Sequence, residues 1–144
     1  MPLGDVNLRE PYCLAMILCD AVHKDPATGK STLLGTFSTF GSVVYPAPLS
    51  LHVYFALTDG EGTYDVKIRL VNSKHIVDEN AESVFEVNFN PEFPDPLCVI
   101  EGSMGGLFSI PEPGVYHCEI LCDENVLMSR RIVADKFEQQ EERE

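Results

Sequence analysis

Tyr12-Cys13-Leu14-Ala15-Met16-Ile17-Leu18-Cys19-Asp20-Ala21-Val22 is followed by His23-Lys24-Asp25-Pro26-Ala27-Thr28-Gly29-Lys30 and then by Ser31-Thr32-Leu33-Leu34-Gly35-Thr36-Phe37-Ser38-Thr39-Phe40. This stretch decides the fold. The first run is apolar on both faces, which fits a strand covered by its neighbours, or a buried helix. The turn chemistry after it favours a hairpin. Asp25-Pro26 opens a turn, and Gly29 can take the positive φ that closes it. The return run is rich in β-formers. Its Gly35 points to a bulge or a close backbone approach.

Downstream, period-two alternation recurs. Leu51, Val53, Phe55 and Leu57 alternate with His52, Tyr54, Ala56 and Thr58. After the turn Asp59-Gly60-Glu61-Gly62, Val66, Ile68 and Leu70 alternate with Asp65, Lys67 and Arg69. Both runs have the pattern of half-buried strands. Residues 72–82 read as a polar connection, and Val84 to Phe89 as a short strand. Pro91, Pro94 and Pro96 break pairing. From Leu97 to Ile110 the even positions Ile100, Met104, Phe108 and Ile110 share a face, with a kink or bulge expected at Gly102, Gly105 and Gly106. Tyr116, Cys118, Ile120 and Cys122 form one face of the next strand, and Val126 to Ala134 returns as the last. About eight strands at regular spacing with no long helix predict an all-β sandwich or barrel. Residues 1–134 form one domain in this reading, and 135–144 an acidic tail that is either a short helix or disordered.

Two resemblances accompany this pattern. Gly114-Val115-Tyr116-His117-Cys118 resembles the corner before strand F of immunoglobulin-like domains, where a Tyr precedes a Cys by two residues. The likeness implies an immunoglobulin-like antiparallel β-sandwich, and the chain departs from those domains in having no Trp. The run Leu18-Cys19-Asp20-Ala21-Val22, then Thr28-Gly29-Lys30, then Leu33-Leu34-Gly35-Thr36-Phe37 resembles an uncharacterised family of small bacterial proteins. Leu51 to Asp59 and Pro113 to Tyr116 continue that likeness. It implies a fold and a bacterial origin, and no functional residue.

Composition narrows function. Ten Lys+Arg stand against 23 Asp+Glu, a formal net charge of −13. Nucleic-acid binding needs clustered cations to displace counterions, so neither nucleic acid nor anionic membrane is an expected partner. Five Cys (13, 19, 98, 118 and 122) lie in apolar runs, with no CxxC pair and no zinc spacing. They read as core thiols in a reducing compartment. No secretory leader or spanning run is recognisable, so a cytoplasmic location is expected.

Asp20, His23 and Asp25 gather carboxylates and an imidazole at one strand end and make the candidate metal set. Their structural alternative is turn formation. Asp59 and Glu61 offer oxygens for Ca²⁺ but lack an EF-hand's spacing. If Asp20, Asp25 and Asp59 met, the end of the sandwich would resemble a calcium-dependent membrane-binding module. No nucleophile motif or phosphate-cradling loop occurs, so no catalytic residue and no cofactor is assigned. His52, Tyr54 and Thr58, near Tyr45 and the prolines at 46 and 48, suggest a partner surface, with a second sheet covering that face as the alternative. The expected function is a non-catalytic module that binds a protein partner or self-associates, with a metal- or ligand-binding sandwich as the alternative.

Overall fold

The computed structural model describes residues 10–75 and 83–138. Its strands in chain order are β1 (Tyr12–Lys24), β2 (Ser31–Thr36), β3 (Thr39–Ser42), β4 (Ala47–Thr58), β5 (Gly62–Thr63), β6 (Val66–Asn72), β7 (Phe85–Phe89), β8 (Glu92–Phe93), β9 (Val99–Ile110), β10 (Gly114–Cys122) and β11 (Asn125–Lys136). Eight of these are the strands that alternation predicts, and β3, β5 and β8 are short additions. The only helical piece among the described residues is a 3-10 turn over Ser73–His75.

Two sheets carry the fold. One has the order β2-β1-β4-β9 and the other β3-β11-β10-β6-β7. Every pairing is antiparallel except that of β3 with β11. Their inner faces share one core. Met16, Leu18, Leu51 and Val53 of the first sheet join Ile68, Leu70, Ile120 and Ile132 of the second. This follows from alternation, because residues i and i+2 point to one face of a strand.

The β1–β2 hairpin forms as its turn residues predict. Asp25 accepts from the Ala27 amide at 3.0 Å and from the Thr28 hydroxyl at 3.0 Å. Gly29 has φ +75°. Gly35, at φ +68°, lies beside the Asp20 carboxylate, which occupies the space a Cβ would need. The return run does not continue as one strand to Phe40. At Phe37-Ser38 the chain crosses from one sheet to the other: the Phe37 amide donates to Leu18 O at 3.1 Å, and Val133 donates to Ser38 O at 2.9 Å.

Three further expectations are revised. Residues 41–49 are not all loop, since β4 begins at Ala47 and includes Pro48. β1 pairs only with His52 to Thr58, so Pro48 sits where β4 has one neighbour and a missing amide is tolerated. The Gly102–Gly106 stretch has no bulge, because β9 pairs with β4 in unbroken register. The proline segment is not wholly unpaired. Its Phe93 is 1% exposed and packs edge-on against Tyr64, with ring centroids 5.6 Å apart.

The corner before β10 behaves as its sequence predicts. Tyr116 donates its hydroxyl to Glu112 O at 2.7 Å and accepts from the Glu112 amide at 3.3 Å. Burial raises the Tyr116 pKa. Tyr116→Phe leaves two backbone groups without this partner, and a loss of about 1–3 kcal/mol is expected from the shift in urea midpoint.

β11 runs two residues past the expected boundary at Ala134, because β3 pairs with Val133 to Lys136. Phe137 follows with its ring over Gly41. The remainder of the acidic tail, residues 139–144, lies outside the described residues, as do residues 1–9 and 76–82.

Candidate functional site

The solvent side of the β2-β1-β4-β9 sheet is built from the residues that alternate with its core. β1 contributes Ala15, Ile17, Cys19 and Ala21, and β4 contributes His52, Tyr54 and Thr58 beside them. Among the described residues no second sheet covers His52, Tyr54 or Thr58, and each is half-buried by strand neighbours. β1's apolar outer face is therefore screened from the sides, not by another sheet. Cys19 is fully buried there between Thr36 and His52.

A polar network crosses this face toward β9. Tyr54 donates its hydroxyl to Glu101 Oε2, and Lys24 Nζ lies 3.9 Å from Glu101 Oε1. Burial, then the Glu101 hydrogen bond and charge, push the Tyr54 pKa up to about 12. A phenol held protonated is a hydrogen-bond donor, which suits a structural strut better than a general base. The His52 ring lies across the backbone of Gly105, where a Cβ would collide with it. The Nδ1 of His52 is buried without a hydrogen-bond partner.

β9 is the edge of this sheet, and sheet edges offer unpaired N–H and C=O groups to other chains. The four edges differ sharply. β2 has six residues, with Gly35 at positive φ. β3 has four and is soon followed by Pro46. β7 has five, carries Glu86 at 3.5 Å from Lys67, and ends before Pro91. β9 has 12 residues in unbroken register, from Val99 opposite Thr58 to Ile110 opposite Ala47. It contains no Pro, Lys or Arg, and its single charge is Glu101. Leu107 on it is 73% exposed.

The opposite side of the sandwich is guarded. There the N-terminal half of β1 lacks β2 as a neighbour, and the N-terminal half of β11 lacks β3. Arg130 bridges the gap, donating Nε to Met16 O at 2.9 Å. An inward charge at a strand edge discourages further pairing. Among the described residues β9 pairs with β4 alone and has no such guard.

The metal candidates are not assembled into a site. Asp25 is engaged by its own turn, His23 is exposed on β1, and Asp20 lies over Gly35. Among the described residues no three His, Cys, Asp or Glu side chains come together as a metal site. The outward stagger of β1 is the reason, since residues 20 and 23 fall on opposite faces. Asp59 takes φ +70° in its turn.

The four buried thiols are poor nucleophiles. Burial, reinforced by the charge of Glu119, pushes Cys118 up to about 12. Burial does the same for Cys122, with Asp123 adding to it. Burial also raises Cys13 and Cys19. All five cysteines are free, and Cys98 alone is not buried. A thiol reagent at mildly alkaline pH is expected to label Cys98 fast in the native chain, and the other four only on unfolding.

Sequence reasoning missed Glu119. It is 4% exposed and accepts from Arg69 Nε at 2.9 Å across the β6–β10 pair. Alternation put Glu119 on the outer face, but the flanking rows that bury it belong to distant segments.

The family described as a family of unknown function, DUF6941, matches residues 14–134. No curated protein matches the chain. The matched span runs from β1 to β11 and so includes both sheets. The chain belongs to the family of unknown function DUF6941.

Proposed function

We propose that this protein is a non-catalytic interaction module that receives an extended strand of a partner along β9. The observation that carries this is the contrast among edges. β9 alone is long, with 12 residues in regular register against six, four and five at the other edges. Strand addition draws affinity from main-chain hydrogen bonds and specificity from alternate side-chain positions. The outer face beside β9, with the Tyr54–Glu101 strut and exposed Leu107, supplies side-chain contacts for such a strand.

We read the sandwich as immunoglobulin-like. The Tyr116 corner and the parallel pairing of β3 with β11, next to β10, support that reading. Five free thiols accord with a reducing compartment. The test of function is edge-specific. Partners retained by the wild-type chain, and any concentration-dependent mass in sedimentation, are compared with those of Leu107→Lys. Interactions that survive the substitution unchanged would sink the β9 reading.

A further inference from the structure

β9 meets solvent as part of a charge-poor strip on a heavily charged chain. β4 and β9 have 12 residues each and carry one charge between them, Glu101, which Lys24 and Tyr54 already engage. The whole chain holds ten Lys+Arg and 23 Asp+Glu. The other sheet ends beneath this strip. Phe85 of β7 stacks near Phe108 of β9 with ring centroids 4.5 Å apart, and Phe89 lies 5.2 Å from Phe55 of β4. β7 therefore packs under β4 and β9, and among the described residues nothing pairs on the free side of β9.

Residues directly opposite each other in an antiparallel pair point to the same face of the sheet. When a strand pairs with a second copy of itself about a twofold axis, the axis must therefore pass beside a residue that faces its own counterpart. With the axis at Ser103, pairing runs from Val99 to Leu107. Val99 and Leu107, 53% and 73% exposed, then stand opposite one another at both ends. Ile100 faces Gly106, Glu101 faces Gly105, and Met104 faces Gly102. An axis at Met104 would instead set Leu107 against Glu101, and one at Gly105 would set Val99 against Pro111.

The Ser103 register puts a larger side chain opposite each of the three glycines. Glycine weakens a strand because it packs nothing, and a bulky cross-strand neighbour covers the bare backbone. Gly106 has no other explanation within the chain. Its φ is not positive, and a Cβ there would make an ordinary contact of 3.5 Å with the Phe108 ring. Charge permits the same register. The two Glu101 positions fall about 14 Å apart along the strands, farther than the Debye length of about 8 Å at physiological salt.

We propose that the strand received at β9 is β9 of a second copy, paired antiparallel about a twofold at Ser103. The pairing joins two four-stranded sheets into one continuous sheet. It uses the open edge of both copies, so the assembly closes as a dimer. This rests on the β9 reading of function and names the partner.

Sedimentation equilibrium of the full chain is expected to show twice the 16.0 kDa of one chain. The dimer tightens as salt rises, because salt screens the repulsion between two chains of net charge −13. Leu107→Lys is expected to raise the dissociation constant at least tenfold. Leu107→Glu alone does the same, and adding Val99→Lys recovers at least threefold, since each carboxylate then meets an ammonium across the pair. In a Cys98→Ser background with a mild oxidant, Ser103→Cys is expected to form a disulfide-linked dimer. Directly opposite Cα atoms stand about 4.5–5.5 Å apart, within disulfide reach. Ser109→Cys, also at an exposed position, does not link, because its two copies stand about 40 Å apart along the strands.

A monomer at every concentration and salt would overturn the second copy. If that monomer still retains another protein that Leu107→Lys releases, the strand-acceptor reading stands without it. A dimer indifferent to Leu107→Lys, or one that loosens as salt rises, would overturn the proposal. A dimer that Leu107→Lys dissolves but Ser103→Cys does not link would overturn the Ser103 register and the proposal with it. If neither a dimer nor a partner depends on β9, both readings fall.

Discussion

A Leu107→Lys, Val99→Lys variant is expected to lose partner binding by at least tenfold while melting within about 4 °C of the wild-type chain. The reason lies in where these residues stand. Leu107 is 73% exposed and Val99 53% exposed, both on β9 and outside the core. Exposed substitutions of this kind change stability by about 0.5 kcal/mol or less, and a chain of this size shifts by roughly 2–4 °C per kcal/mol. Binding responds differently. A lysine on an edge strand must surrender hydration when another strand pairs beside it, which is how natural sheets block their edges. Thermal melting and sedimentation, run with partner capture, separate the two effects. A fall in stability matching the fall in binding would show that β9 serves the fold and not a partner.

Leu51→Ala is expected to cost about 3 kcal/mol, within the usual span for emptying a core leucine site. Scaled by size, this lowers the melting temperature by roughly 6–12 °C in calorimetry. Leu51 is fully buried at the centre of β4, between the two sheets. β4 is itself an inner strand, with β1 on one side and β9 on the other. The truncation leaves a cavity that rigid strands on both sides cannot close. Leu97→Ala is the matched control. Leu97 is 89% exposed, so its loss is expected to move stability by no more than about 0.5 kcal/mol. Equal effects of the two substitutions would contradict the placement of the core.

Much of this architecture was legible residue by residue. Leu51, Val53, Phe55 and Leu57 are buried as their alternation predicts, and so are Val66, Ile68 and Leu70. Tyr116 makes the corner bond that its spacing from Pro113-Gly114 and Cys118 suggests. Asp25 and Gly29 build the expected turn. The metal set was the weakest part of the reading. A carboxylate three residues before an imidazole looks like a ligand pair only if the local structure brings them to one face. On a strand they diverge, and Asp25 satisfies its turn instead.

What escaped the sequence has a common cause. Phe93 gives no strand signal among its prolines, yet Tyr64 and Gly60 from another segment bury it. Glu119 keeps its outer-face position and is buried there beside Arg69 and Ser129 of the neighbouring strands. The regular path of β9 is imposed by its pairing with β4, whose Phe55 and His52 rings occupy the space that side chains at Gly102 and Gly105 would take. The openness of β9 was equally invisible, because an edge is defined by which strand is missing beside it.

The sequence by itself determined the strands, their buried faces, the hairpin turn and the acidic character. Those depend on side-chain period, on backbone preferences at Gly, Pro and Asp, and on a simple sum of charges, all of which are local or additive. Three-dimensional packing alone decided that Arg130 shields the β1–β11 side, that β3 joins β11 in parallel, and that β9 has β4 as its one neighbour among the described residues. Strand neighbours are chosen by cooperative packing of segments far apart in the chain, so no window of residues contains that choice.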